Sequence, residues 1–178
     1  NLIVILLMQN NFLKNKKIIL SAGASGIGLA TVKLLLSRGA FVYTCDIDKK
    51  NINKLKKNPY FNKKLFISEC DASKEDEVKK FYKEVSNKTK KIDGLINNIG
   101  IAGPTSPLEK IKSEDWEKTL QVNVNSHFYF TKYAIPMIKK SKHGSIINIS
   151  STAGIDGFPN RSPYAASKWA LVGITKTL

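Results

Sequence analysis

Lys17-Ile18-Ile19-Leu20-Ser21-Ala22-Gly23-Ala24-Ser25-Gly26-Ile27-Gly28 is the stretch that decides the fold. Lys17–Ser21 is a short apolar run, the pattern of a strand. It breaks at Gly23, Gly26 and Gly28, and an amphipathic run, Ile27–Ser37, then predicts a helix. A glycine turn between strand and helix lets the backbone approach a pyrophosphate closely. The helix start adds free N–H groups and the positive end of its dipole. The spacing is not Gly-x-Gly-x-x-Gly, so the turn by itself also fits a tight turn with no ligand.

The same alternation continues along the chain. Ala40–Cys45, Leu65–Glu69, Gly94–Asn97 and Ser145–Ser150 are strand-like. Helix-like runs lie at Lys49–Lys57, Glu75–Asn87 and Ser113–Lys140, and a last one starts at Tyr164. Ser73 with Asp76, and Ser113 with Asp115, look like helix starts, and Arg38-Gly39 like a helix stop. Strands alternating with helices predict an α/β fold: a three-layer, doubly wound parallel sheet of the Rossmann type with five strands. On such sheets ligands bind at the C-terminal strand ends, where the strand order reverses. The glycine turn and two Gly/Pro-rich loops, Gly100–Pro107 and Gly154–Pro163, all fall at such ends.

Asp46 ends the second strand, 18 residues (46 − 28) after Gly28, where a ribose-binding carboxylate belongs. A carboxylate there accepts from a ribose 2′-hydroxyl and repels a 2′-phosphate. No basic residue stands at Ser25 to pair with such a phosphate. The reading is NAD over NADP, with Lys49 and Lys50 close by as the opposing feature. A turn or cap carboxylate is the other reading of Asp46.

Tyr164 and Lys168 lie four residues apart, on one face of a helix. An ammonium beside a phenol favours loss of the phenolic proton, which suits the phenol to proton transfer near neutral pH. A carbonyl needs that when hydride reaches its carbon.

Composition narrows the alternatives. The chain has 178 residues, 42% hydrophobic and 24% charged, enough for one domain with a core. Its 29 basic and 14 acidic residues give a net charge of +15. The lysines are scattered in pairs, which favours a solvated surface over a nucleic-acid site. Cys45 and Cys70 make neither a disulfide framework nor a metal motif, and His127 and His143 have no ligand spacing. Leu2–Leu7 is too short to span a bilayer and lacks the marks of an export signal. A cytoplasmic protein follows, with residues 1–15 a tail and lead-in, Met8 a possible true start, and 16–178 the domain.

Together these residues identify a likeness. Ser21–Gly28 resembles the Thr-Gly-x-x-x-Gly-x-Gly turn of the short-chain dehydrogenases/reductases. Asn97-Asn98-Ile99-Gly100 resembles their Asn-Asn-Ala-Gly, and Tyr164–Lys168 is similar to their Tyr-x-x-x-Lys. Asn123, Ser151 and Asp71 match the family's helix asparagine, strand-end serine and adenine-contacting aspartate. The resemblance implies that Tyr164 is the general acid/base and that Ser151 steadies the substrate oxygen. Lys168 would tune Tyr164 and hold the nicotinamide ribose, and Asn123 would hold a relay water. It implies a cofactor site of Ser21, Gly23, Ser25, Gly26, Ile27, Gly28, Asp46, Ile47, Asp71, Ala72, Asn98, Ile99 and Gly100, with Tyr164 and Lys168. The function implied is an NAD(P)-dependent oxidoreductase interconverting a secondary alcohol and a ketone, dimeric or tetrameric, with no metal, nucleic acid or membrane partner. The alternatives are a dinucleotide sensor without turnover and an inactive fragment.

Two residues depart from the family pattern. Ala22 replaces the first glycine of the turn, and alanine disfavours positive φ. Ile99 replaces an alanine and would either crowd the cofactor ribose or fill a gap. Family members also run longer. The reading is a fragment that carries the catalytic residues and lacks the C-terminal strands and substrate loop, leaving the fifth strand as an apolar-flanked edge. Arg161 has two readings, a solvated loop residue or a contact to an anionic substrate.

Overall fold

The computed structural model describes residues 12–58 and 63–178. Met8 lies outside them. Among the described residues there is one sheet, with strands β1 (Lys17–Ser21), β2 (Phe41–Asp46), β3 (Leu65–Glu69), β4 (Gly94–Asn97) and β5 (Ser145–Asn148). The order is β3-β2-β1-β4-β5, and every pairing is parallel. The order reverses between β1 and β4, so the crevice predicted for a ligand opens at their C-terminal ends. Beyond β4, the strand β5 pairs on one side only, and Ile147 on it is 49% exposed.

Successive residues of β1 face opposite ways, and each face finds its own core. Ile18 and Leu20 pack with Val32 and Leu35 of α1 (Gly26–Ser37) and with Ile52 and Leu55 of α2 (Lys49–Lys56). Ile19, on the other face, belongs with Phe81, Tyr82 and Val85 of α3 (Glu75–Ser86) and with Phe130, Ala134 and Met137 of α5 (Ser126–Ile138). Phe81, Tyr82 and Phe130 meet with ring centroids 5.5–5.7 Å apart, in tilted and edge-on geometries. Ile99 is 7% exposed inside this second core, so the β-branched side chain fills space there.

Several expected boundaries shift. Residues 12–15 lead into β1 and are fastened beside it: Leu13 and Asn15 donate to the carbonyls of Arg38 and Gly39 at the end of α1. Ser73 does not start a helix. Its hydroxyl and backbone N–H go to Asp71, and Lys74 precedes α3. The largest change concerns Ser113–Lys140, which is helical without a break from Ser113 to Ile138 but not α-helical throughout. It comprises α4 (Ser113–Leu120), a π-helical turn (Gln121–Asn125) and α5. The last helix, α6, runs Ser162–Thr177, with Pro163 in its first turn.

Candidate active site

The glycine turn is built by contacts that exclude side chains. A Cβ on Gly23 would run into the Thr44 hydroxyl, and one on Gly28 into the Ala22 carbonyl, with Asn98 Nδ2 2.8 Å away. Gly26 has φ +50° and open space around it. Ala22 itself has φ +56°, so the chain accepts an alanine in the left-handed region where glycine is the easy residue. Ser25, Gly26 and Ile27 are exposed at the start of α1. Its first N–H groups have no partner within the helix.

Asp46 and Asn98 brace this turn from either side. Asp46 Oδ2 accepts from Ala24 N at 2.9 Å and Oδ1 from Asp48 N at 3.1 Å. This is the turn-carboxylate role, and it occupies about two of the roughly four acceptor positions of a carboxylate. Asn98 donates its backbone N–H to Ser21 Oγ at 3.0 Å and its amide to Ala22 O at 3.1 Å. The fully buried Ser21 hydroxyl therefore accepts from the residue that follows β4 and ties the turn to it.

Two cavities flank the Gly100-Ile101 backbone. One, about 360 Å³, lies over β2 and β3 and has Asp46, Ile47, Asp71, Ala72 and Ile99 on its walls. The other, about 340 Å³, lies over β4 and β5 and has Ile27, Asn98, Ser151, Tyr164 and Lys168. Of the predicted residues, these ten come together with Gly100, which borders both cavities. Gly23, Ser25, Gly26 and Gly28 form the turn between the cavities, and Asn123 sits behind. Burial works to raise the Asp71 carboxyl, but the Ser73 hydroxyl and N–H and the Lys74 ammonium hold it below its ordinary value. Ile47 and Ile27, 64% and 68% exposed, offer apolar surface at the two mouths.

Ser151 is extended and its Oγ accepts from Ala153 N at 3.2 Å, capping a short 3-10 turn. Ser150 Oγ donates to Lys168 O at 2.9 Å, tying this loop to α6. Lys168 Nζ donates to Ile149 O at 2.9 Å and lies 5.7 Å from the centre of the Tyr164 ring. Burial lowers the Lys168 pKa from its ordinary value. Asn123, buried in the π-turn, is clamped at both ends of its amide. Oδ1 accepts from Ile101 N at 2.7 Å, and Nδ2 donates to Ile101 O at 2.9 Å and Ser167 Oγ at 3.0 Å. A Cβ at Gly100 would stand 3.4 Å from Lys168 Nζ and 3.5 Å from Asn123 Oδ1, in ordinary contact with both, so this backbone lies directly against the two groups. Sequence reasoning missed Phe158, 54% exposed on the wall of the second cavity; an aromatic residue in a Gly/Pro-rich loop is the signal that points to it.

A glycine turn at a topological switch point, beside a Ser, Tyr and Lys sharing one cavity, places the chain in the class of doubly wound α/β proteins with a crevice at the C-terminal strand ends. The particular family follows from comparison: residues 16–178 match the short chain dehydrogenase family, and the chain belongs to it. It is 37% identical over 166 residues to the 3-oxoacyl-(acyl-carrier-protein) reductase FabG of Thermotoga maritima, covering 93% of this chain and 67% of that one. It is 33% identical to a 3beta-hydroxysteroid dehydrogenase of Mediterraneibacter gnavus, covering 92% and 60%. A short chain dehydrogenase from Shigella flexneri 2a str. 301, solved in complex with NADP, superposes with a TM-score of 0.86 at 25% identity, covering 95% and 72%. The chain thus spans roughly two thirds of the length of the proteins it matches.

Proposed function

We propose that this chain carries the dinucleotide site and the catalytic residues of an NAD-dependent oxidoreductase that interconverts a secondary alcohol and a ketone. The observation that supports it most is the convergence of Ser151, Tyr164 and Lys168 on one cavity next to the glycine turn. A bound nicotinamide supplies or accepts the hydride. The residues here do the rest. The Tyr164 hydroxyl gives its proton to the carbonyl oxygen in reduction and takes it back in oxidation. Ser151 Oγ donates to the same oxygen as charge builds on it. Lys168, fixed by Ile149 O, sets a positive charge beside the Tyr164 ring. Asn123 holds the Ile101 backbone that divides the two cavities, and so shapes both. The N-terminus of α1 would hold the pyrophosphate of the bound dinucleotide.

NAD is favoured by Asp46, which keeps acceptor positions on the cavity wall; Lys49, in a solvent-exposed pair with Glu69 at 3.3 Å, and Lys50 are the cations close by that oppose it. The NADP seen in the Shigella protein makes this the part of the reading most open to test. The test is a titration with NADH and NADPH by cofactor fluorescence, then a secondary-alcohol screen with Tyr164→Phe as control. Tighter NADH binding is expected, with Tyr164→Phe binding NADH and losing turnover by about a hundredfold or more. Tighter NADPH binding would remove the role given to Asp46. Binding of neither would end the oxidoreductase reading.

A further inference from the structure

The cavity that holds Ser151 and Tyr164 has two cations on its walls, Arg161 and Lys168, and no carboxylate. Lys168 has its place in the proton-transfer site. Arg161 has none there, yet it is held as firmly. Its guanidinium lies over the Tyr164 ring, 5.3 Å from the centroid. Its Nη1 donates to Thr105 Oγ1 at 2.8 Å, so loops after β4 and β5 both fix it. Its Nε is buried without a partner, and no carboxylate pairs with it: the ion pairs of the described residues involve other side chains.

A hydroxyl and a ring face orient a guanidinium without neutralising it. Nε is closed off and Nη1 already gives one N–H to Thr105, so what remains is the outer, Nη end of the fork, which can meet the oxygens of a carboxylate or phosphate. Arg161 also directly precedes α6, a helix of 16 residues, so the positive end of that dipole adds to the positive potential beside it. Phe158, on the same wall, supplies apolar surface that lowers the local dielectric and strengthens a charge pair.

We propose that Arg161 binds an anionic group of the substrate, so that the preferred substrates are oxo or hydroxy compounds bearing a carboxylate or phosphate close to the reacting carbon. The proposal rests on the oxidoreductase reading of the same cavity for the word substrate, and on the geometry above for the anion.

The experiment is binding first and turnover second. Oxobutanoic and oxopentanoic acids are compared with their methyl esters, and glycerone phosphate with glycerone, by saturation-transfer NMR on the NADH-loaded protein. Wild type, Arg161→Met and Arg161→Lys are used, with thermal unfolding of each as a check on folding. The expected result is an anion preference of about tenfold to a hundredfold, the worth of a charge-assisted hydrogen bond. It is lost in Arg161→Met and partly kept in Arg161→Lys, and the carboxylate and phosphate arms show which anion is taken. Should Arg161→Met fail to fold, Thr105→Val, which frees the guanidinium from its anchor, is expected to lower the same ratio. Equal affinity for acid and ester, or an anion preference unchanged in the variants, overturns the proposal whether or not turnover is seen. Anion binding that depends on Arg161, without turnover of any substrate, would keep the anion site and refute the oxidoreductase reading.

Discussion

Replacing Asp46 separates its two jobs, bracing the glycine turn and selecting the cofactor. In Asp46→Ala the N–H of Ala24 loses a buried charged acceptor and the N–H of Asp48 a half-buried one. The first loss costs about 1.5–3 kcal/mol and the second, which water replaces, about 0.5–1 kcal/mol. The sum is about 2–4 kcal/mol. For a chain of this size that lowers the unfolding midpoint by roughly 5–15 °C. Asp46→Asn keeps the shape and one acceptor oxygen but removes the charge. It should cost about half as much stability while lifting the repulsion of a 2′-phosphate, which is worth about 1–4 kcal/mol near a protein surface. The NADH-to-NADPH affinity ratio should then fall by about tenfold or more. Scanning calorimetry measures the first effect and fluorescence titration the second. An Asp46→Ala midpoint within about 1 °C of wild type would refute the bracing role, and an unmoved affinity ratio in Asp46→Asn the selecting one.

Other outcomes follow from neighbouring parts of the structure. Gly28→Ala puts a methyl against the Ala22 carbonyl and beside Asn98 Nδ2. It should destabilise by about 1–3 kcal/mol in urea melts and abolish detectable dinucleotide binding by displacing the turn. His127 is buried, and burial, with the charge of Lys168 adding to it, lowers its pKa from 6.5 to about 4. The unfolded chain therefore takes up this proton first, so stability falls as pH drops below 6.5 and the loss is complete near pH 4, at about 3 kcal/mol. Urea midpoints at pH 7 and about pH 5 should differ less in His127→Gln than in wild type. Cys45 and Cys70 are both buried. The hydrogen bond from Cys70, then burial, pushes the Cys45 thiol well above its ordinary range. Iodoacetamide should label Cys45 only after unfolding, as read by peptide mass; rapid labelling of the folded protein would contradict this placement.

Much of the architecture was readable because it depends on local pattern. Each of the five strands lies where a short apolar run stands between turn residues, and Gly39, with φ +90°, ends α1 as Arg38-Gly39 suggested. The likeness to the family supplied the residues around the crevice, and most of them do line its two cavities. What could not be read depends on contacts distant in sequence. The π-turn exists where Asn123 grips the backbone of Ile101, 22 residues away. Asp46 looked like a carboxylate waiting for a ribose, and nothing local shows that Ala24, 22 residues earlier, already donates to it. Ser73 carried a helix-start signature, but the nearby Asp71 carboxylate competed for its hydroxyl. Arg161 was ambiguous in a loop, and its orientation came only from Thr105 and Tyr164.

The π-turn at Gln121–Asn125 also constrains how this chain tolerates change in length. A π-turn holds one residue more than the regular helical path through the same points. Deleting any single residue between Gln121 and Asn125 would let the ladder close as an ordinary α-helix, a locally favourable outcome. The residue removed would be the surplus one, so α5 would stay in phase with α4, and His127, Phe130 and Ala134 would keep their places in the core. What would be lost is the widened turn from which Asn123 reaches Ile101. The surplus residue thus serves the crevice alone: a one-residue deletion here would spare the core and strip the backbone between the two cavities of its clamp.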